Sequence, residues 1–128
     1  MKTRDADTAG KNVIKSPIHY QNIQEITELY LGGEETPVSV VQHFLERIDS
    51  LDSGYLSYAT VVADQALEQA GILSKELRDG QIRGPLHGIP VAVKDLCYTT
   101  GVKTMGGTAV LEENIPNYDS TVVSRLKT

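Results

Sequence analysis

Ile89, Pro90, Val91, Ala92 and Val93 form a continuous apolar run, bounded by Gly88 on one side and by Lys94 and Asp95 on the other. Apolar character that is continuous rather than alternating predicts a strand covered on both faces, as in α/β sheets. Such a strand needs ladder partners for its backbone N–H and C=O groups. The chain offers few. Residues 55–62, rich in Tyr, Thr and Val, read as a short strand or extended segment, and most of the remainder reads as helix or turn. The expected fold class is therefore α/β: N-terminal helices plus the first strand or strands of a sheet that is incomplete in this chain.

The helices are legible from their spacing and their ends. Residues 1–17 are polar, mixed in charge and poor in apolar residues, and read as a disordered or loosely attached tail. Residues 18–128 read as one truncated domain. Ile23, Ile26, Leu29 and Tyr30 share a face, and Gly32 and Gly33 stop that helix. Thr36 and Pro37 open a second, because Thr36 can cap free N–H groups and Pro37 has no N–H to leave unpaired. Val38, Val41, Phe44 or Leu45, and Ile48 form its expected buried stripe, with Glu46, Arg47 and Asp49 toward solvent and an end near Leu51. Asp52, Ser53 and Gly54 read as a turn. A third helix is predicted from about residue 64 to 79, with Ala66, Leu67, Ala70, Leu73 and Leu77 on one face and Gly80 ending it. Residues 98–107 are turn-rich, and residues 117–128 read as a last helix capped by Asp119 with Val122, Val123 and Leu126 inward.

Composition narrows the function classes. A net charge of −5 argues against a nucleic-acid surface, which needs a basic stripe. No apolar run reaches the length of a membrane span, and the N-terminus lacks the apolar core of a secretory signal. The single cysteine, Cys97, cannot form an internal disulfide and fits a reducing compartment, so a cytoplasmic setting is expected. Neither phosphate-cradling glycine motif occurs, and His19, His43 and His87 lack metal-ligand spacing, so no cofactor and no metal are expected.

Lys94 is the residue that could carry chemistry. Strand ends in α/β sheets are where ligand crevices open. Desolvation disfavours an ammonium, and buried lysines can fall several units below roughly 10.4, where the amine becomes a usable general base. The same pattern also fits a lysine whose stem snorkels to solvent and whose ammonium pairs with Asp95 or water. The wider stretch Gly84-Pro85-Leu86-His87-Gly88-Ile89-Pro90-Val91-Ala92-Val93-Lys94-Asp95 resembles the region around the catalytic lysine of the amidase signature family. The likeness extends upstream through Arg47, Ile48, residues 63–70 and Leu77. Downstream it takes in residues 99–104 and 119–127. In all it covers about residues 23–128.

The resemblance implies an α/β/α sandwich with a mixed sheet, of which this is the N-terminal part. It implies hydrolysis of carbon–nitrogen amide bonds by a serine nucleophile, a second serine on a cis peptide and a lysine base, here Lys94. Within the family the alternatives are a free-standing amidase and the A subunit of a glutamine-dependent aminoacyl-tRNA amidotransferase. The expected partners are a small-molecule amide and either a second copy or an amidotransferase complex, without direct nucleic-acid or membrane contact. The Gly- and Ser-rich stretch that carries both serines is not found in these residues. Ser16, Ser39, Ser50, Ser53, Ser57, Ser74, Ser120 and Ser124 stand outside any such context, so the chain alone is expected to be an inactive partial chain.

Three neighbours of the motif complete the expectations. Asp95, one residue from Lys94, would point the other way on a strand and hold loop N–H groups rather than act as an acid. His87 is expected to order the loop before the strand. Gly106 and Gly107 fit a plain turn, and Cys97 a small buried hydrophobe.

Overall fold

The computed structural model describes residues 16–128, so the tail reading lies outside the described residues except at Ser16 and Pro17. A short 3-10 turn, Ile18–Tyr20, leads into α1, Ile23–Leu31. Asn22 starts α1 with a capping box. Its side chain accepts from the Glu25 N–H at 3.0 Å, and the Glu25 carboxylate accepts from the Asn22 N–H at 2.7 Å. Gly33, at φ +72°, takes the left-handed turn that ends the helix as expected.

Helix α2, Pro37–Tyr55, opens as predicted. Thr36 Oγ1 accepts from the Ser39 N–H at 3.1 Å, Ser39 Oγ accepts from the Thr36 N–H at 2.8 Å, and Pro37 occupies the first turn. The next free donor is served from outside the helix: Val38 N–H reaches Ser74 Oγ at 3.4 Å. Ser74 lies late in α3, Ala63–Arg78, so α3 runs back along α2 and the start of one lies beside the end of the other. The end of α2 differs from expectation. Asp52, Ser53 and Gly54 continue the helix, because the Asp52 carboxylate accepts the Ser57 N–H at 2.7 Å and its C=O accepts the Leu56 N–H at 2.7 Å. Leu56, at φ +52°, then turns the chain.

The core sits where these helices meet. Ile26, Tyr30 and Val40 form its centre, with Ile18, Phe44, Leu77 and Ile89 packed against them. Val40, absent from the expected stripe, is fully buried and contributes about 1.5–3 kcal/mol by that burial alone. Val41 and Ala70 are buried as expected, and Val38 is only half-buried.

The expected strands do not form. Among the described residues none is in a β-strand, and residues 56–62 and 89–94 are irregular. The physical reason is the one that made the run informative: a strand exists through its partners, and none among the described residues pairs with these. Val91 at 49% and Val93 at 40% exposure are therefore open to solvent rather than covered. At the other end of the described chain, α4 spans Thr121–Lys127 and follows Ser120 rather than Asp119. Val123 is buried, but Val122 and Leu126 are 57% and 41% exposed, so only one of the three expected inward residues is inward. No helix among the described residues is long and apolar enough to cross a membrane.

Candidate functional site

The segment bearing Lys94 is fixed at its start by a glycine that could be nothing else. Gly88 adopts φ +74°, and a Cβ there would fall 2.6 Å from Pro37 Cγ, 3.0 Å from Pro37 Cβ and 3.2 Å from Tyr30 Cε2. The backbone approaches α1 and α2 that closely because the buried Tyr30 hydroxyl donates to the Gly88 C=O at 2.9 Å. Burial, reinforced by nearby Glu35, pushes the Tyr30 phenol above its usual range, so it remains a donor.

His87 and Arg83 hold the loop before it. Arg83 N–H donates to His87 Nδ1 at 3.3 Å, which leaves Nε2 to donate to the Leu73 C=O at 3.0 Å. Buried His87 thus orders this loop against α3, as the sequence suggested. The Arg83 guanidinium forks onto Glu76 at 2.6 and 2.7 Å and also donates to the Lys127 C=O at 3.2 Å. Hydrogen bonding from Arg83 holds the Glu76 carboxyl below its usual range.

Lys94 itself is exposed, the solvent-reaching arrangement of the two that its sequence pattern allows. Enclosure would come from the two faces of a sheet, and no sheet covers residues 89–93 here. The chain turns sharply after Lys94, whose C=O accepts from the Leu96 N–H at 2.7 Å and the Cys97 N–H at 2.9 Å. Asp95 binds the facing loop: Oδ1 accepts from the Met105 N–H at 2.8 Å, and its C=O accepts from the Gly106 N–H at 2.7 Å. This is the backbone-holding role expected of it. Gly106 and Gly107, at φ +59° and +74°, shape the turn that lets two successive N–H groups converge on one residue. Cys97 is half-buried and free.

Farther along, the loops close on one another. Gly101 N–H donates to the Pro116 C=O at 2.9 Å, and Thr104 N–H to the Asn114 C=O at 3.0 Å. Asp119 accepts from the Thr100 N–H and from Lys127 Nζ, both at 2.7 Å, and Lys127 is the larger cause that holds its carboxyl below the usual range.

Nothing in their sequence spacing signals that His19 and His43 meet. Their rings stack at 11°, with His19 Nδ1 and His43 Nε2 3.0 Å apart. Burial, then the nearby Arg47 and His43, lower the His19 pKa. Among the described residues no set of three or more His, Cys, Asp or Glu gathers there or elsewhere as a metal cluster. Ser39, Ser50 and Ser74 are committed to helix backbone, and Ser120 Oγ is enclosed without a partner. At the motif the described residues present the Lys94 amine, on a backbone pinned at Gly88 and at Asp95. Attack on a carbonyl needs a nucleophile and oxyanion donors in addition to an amine.

The sequence pattern of the amidase family matches residues 39–128. The A subunit of the glutamyl-tRNA(Gln) amidotransferase of Thioalkalivibrio sulfidiphilus is 42% identical over 110 residues, 86% of this chain and 22% of that protein. A Mycobacterium tuberculosis protein assigned by name as an amidase, AmiD, is 36% identical over 124 residues, 96% of this chain and 26% of its own length. The corresponding amidotransferase protein of Carboxydothermus hydrogenoformans is 36% identical over 110 residues, 86% of this chain and 23% of its own length. The chain thus spans about a quarter of the length of the curated relatives it matches.

Proposed function

The chain belongs to the amidase family, and we propose that it supplies the lysine base of an enzyme that hydrolyses carbon–nitrogen amide bonds. The observation that carries this reading is the position of Lys94: it follows the apolar run of the Gly-Ile-Pro-Val-Ala-Val-Lys-Asp stretch inside the matched residues, on a backbone held at Gly88 and Asp95. In the complete active site Lys94 takes a proton from a bridging serine on a cis peptide. That serine takes one from the serine nucleophile, whose oxygen adds to the amide carbon. Collapse breaks the C–N bond, the leaving amine receives a proton relayed back through the bridging serine, and water cleaves the acyl-enzyme. On this reading both serines belong to a Gly- and Ser-rich stretch that these residues do not show, and Lys94 without them does not attack an amide.

Residues 89–93 would then pair within the α/β/α sandwich, which encloses the strand end and favours a neutral amine there. The setting is cytoplasmic and the substrate a small amide. Replacing Lys94 by Ala in the full-length protein that carries these residues is expected to lower kcat about 10²-fold or more. Turnover at the wild-type rate would remove Lys94 from the mechanism.

A second reading has a specific observation in its favour: the 42% identical relative is by name part of a glutamyl-tRNA(Gln) amidotransferase. On that reading ammonia released from glutamine amidates a charged tRNA inside a multisubunit complex. Copurification with partner chains, together with glutaminase activity, would support it. A homodimer active on other amides but not on glutamine would exclude it.

A further inference from the structure

Asp95 stands beside Lys94, yet the two side chains form no ion pair with each other. Its carboxylate faces the backbone of a loop ten residues on, where Oδ1 receives the Met105 N–H at 2.8 Å. Its carbonyl receives the next N–H, from Gly106, at 2.7 Å. The Lys94 carbonyl is meanwhile held by the Leu96 and Cys97 N–H groups at 2.7 and 2.9 Å. The two carbonyls that follow the Lys94 α-carbon are therefore both anchored, one within the turn and one across to the Met105–Gly106 loop. The lysine stem is long and rotatable, so the reach of its amine depends on where that α-carbon sits. Misplacing a reacting group by about 1 Å can cost on the order of 10²-fold in rate.

We propose that Asp95 is a positioning residue for Lys94, acting as a hydrogen-bond acceptor for the Met105–Gly106 backbone and not through its negative charge. The proposal rests on the reading of Lys94 as the base. Charge is not what the geometry uses: a single neutral oxygen at the same place would satisfy the Met105 N–H equally in number. An acid role would ask the carboxyl to carry and release a proton while it holds that loop. Asp95→Asn keeps an acceptor oxygen of the same reach and removes the charge, whereas Asp95→Ala removes both.

The test compares Asp95→Ala, Asp95→Asn and Lys94→Ala in the full-length amidase that carries these residues, with kcat, KM and the pH profile of kcat/KM measured for each. Hydrogen exchange of the Met105 and Gly106 amides is read in parallel. Asp95→Ala is expected to lower kcat about 10- to 100-fold with KM little changed, and to speed exchange at the Met105 amide, whereas the Gly106 amide keeps its backbone acceptor and serves as the internal reference. Asp95→Asn is expected to restore kcat to within about threefold of wild type, restore protection and leave the pH profile in place. An Asn variant as slow as the Ala variant, or one whose pH profile is displaced, would overturn the proposal in favour of a role for the charge. Full activity of Asp95→Ala beside a dead Lys94→Ala would overturn it while leaving Lys94 as the base. An active Lys94→Ala would overturn both readings together, which separates the two failures.

Discussion

Adding one methyl group at Gly88 tests the contact that fixes the start of the Lys94 segment. Gly88 and Gly80 both sit at φ +74°, so Ala pays the same left-handed backbone cost at each, about 1–2 kcal/mol. Around Gly80 nothing lies within 4 Å of the added Cβ; at Gly88 the new atom would stand 2.6 Å from the fully buried ring of Pro37 and 3.2 Å from Tyr30. Neither neighbour is a flexible surface chain, so the backbone or the helices must move. Overpacking of that kind adds about 1–3 kcal/mol, and displacing the Gly88 C=O from the Tyr30 hydroxyl adds about 1 kcal/mol more. Gly88→Ala is therefore expected to destabilise the fold by about 2–4 kcal/mol beyond Gly80→Ala, read by urea unfolding of both variants under one set of conditions. The double variant with Pro37→Ala, which removes Cγ, is expected to cost less than the sum of the two single changes. Equal losses at Gly80 and Gly88, with additive behaviour at Pro37, would refute the close approach of this loop to α2.

Two further outcomes follow from groups already described. Tyr30→Phe removes the hydroxyl and leaves a buried Gly88 carbonyl unpaired, so a loss of about 1–3 kcal/mol in unfolding free energy is expected; an unchanged midpoint would show that water serves that carbonyl instead. Asp119 is held below the usual carboxylate range by Lys127 and the Thr100 N–H, so its contribution is present above that range and is lost as pH falls through its lowered value. Protection of the Thr100 amide, relative to its intrinsic exchange rate, should fall as pH drops through that lowered value, and Lys127→Ala should move the loss to higher pH.

What is legible in the residues alone is whatever is decided locally. The starts of α1 and α2 depend on side chains within three residues of each other, and Asn22, Thr36 and Pro37 behave as their chemistry requires. The end of α2 escapes such a reading because Asp52, Ser53 and Gly54 are turn formers by composition, whereas the Asp52 carboxylate closes the helix one turn later. The start of α4 escapes it for a related reason: Asp119 can cap a helix, but Thr100 and Lys127 engage its oxygens. At the candidate site, Asp95 and His87 can be anticipated because each serves nearby backbone. The roles of Tyr30 and Pro37 against Gly88 cannot, since a separation of about fifty residues or more leaves no periodic trace. The β-strand is legible only as an appetite for partners, and its pairing is not a property of the run itself.

The open stretch of residues 91–93 also bears on how the chain behaves when concentrated. Exposed β-branched backbone without a ladder invites neighbouring copies to add strands, the first step toward stacked aggregates. Here the invitation is short. Pro90 has no N–H to offer a neighbour, and Lys94 and Asp95 place charge directly after Val93, so only Val91, Ala92 and Val93 could stack without interruption. That falls well under the roughly six residues that a stable zipper requires. Replacing Pro90 and Lys94 with valine would lengthen the template on both sides, and the same fold would be expected to leave solution as fibres.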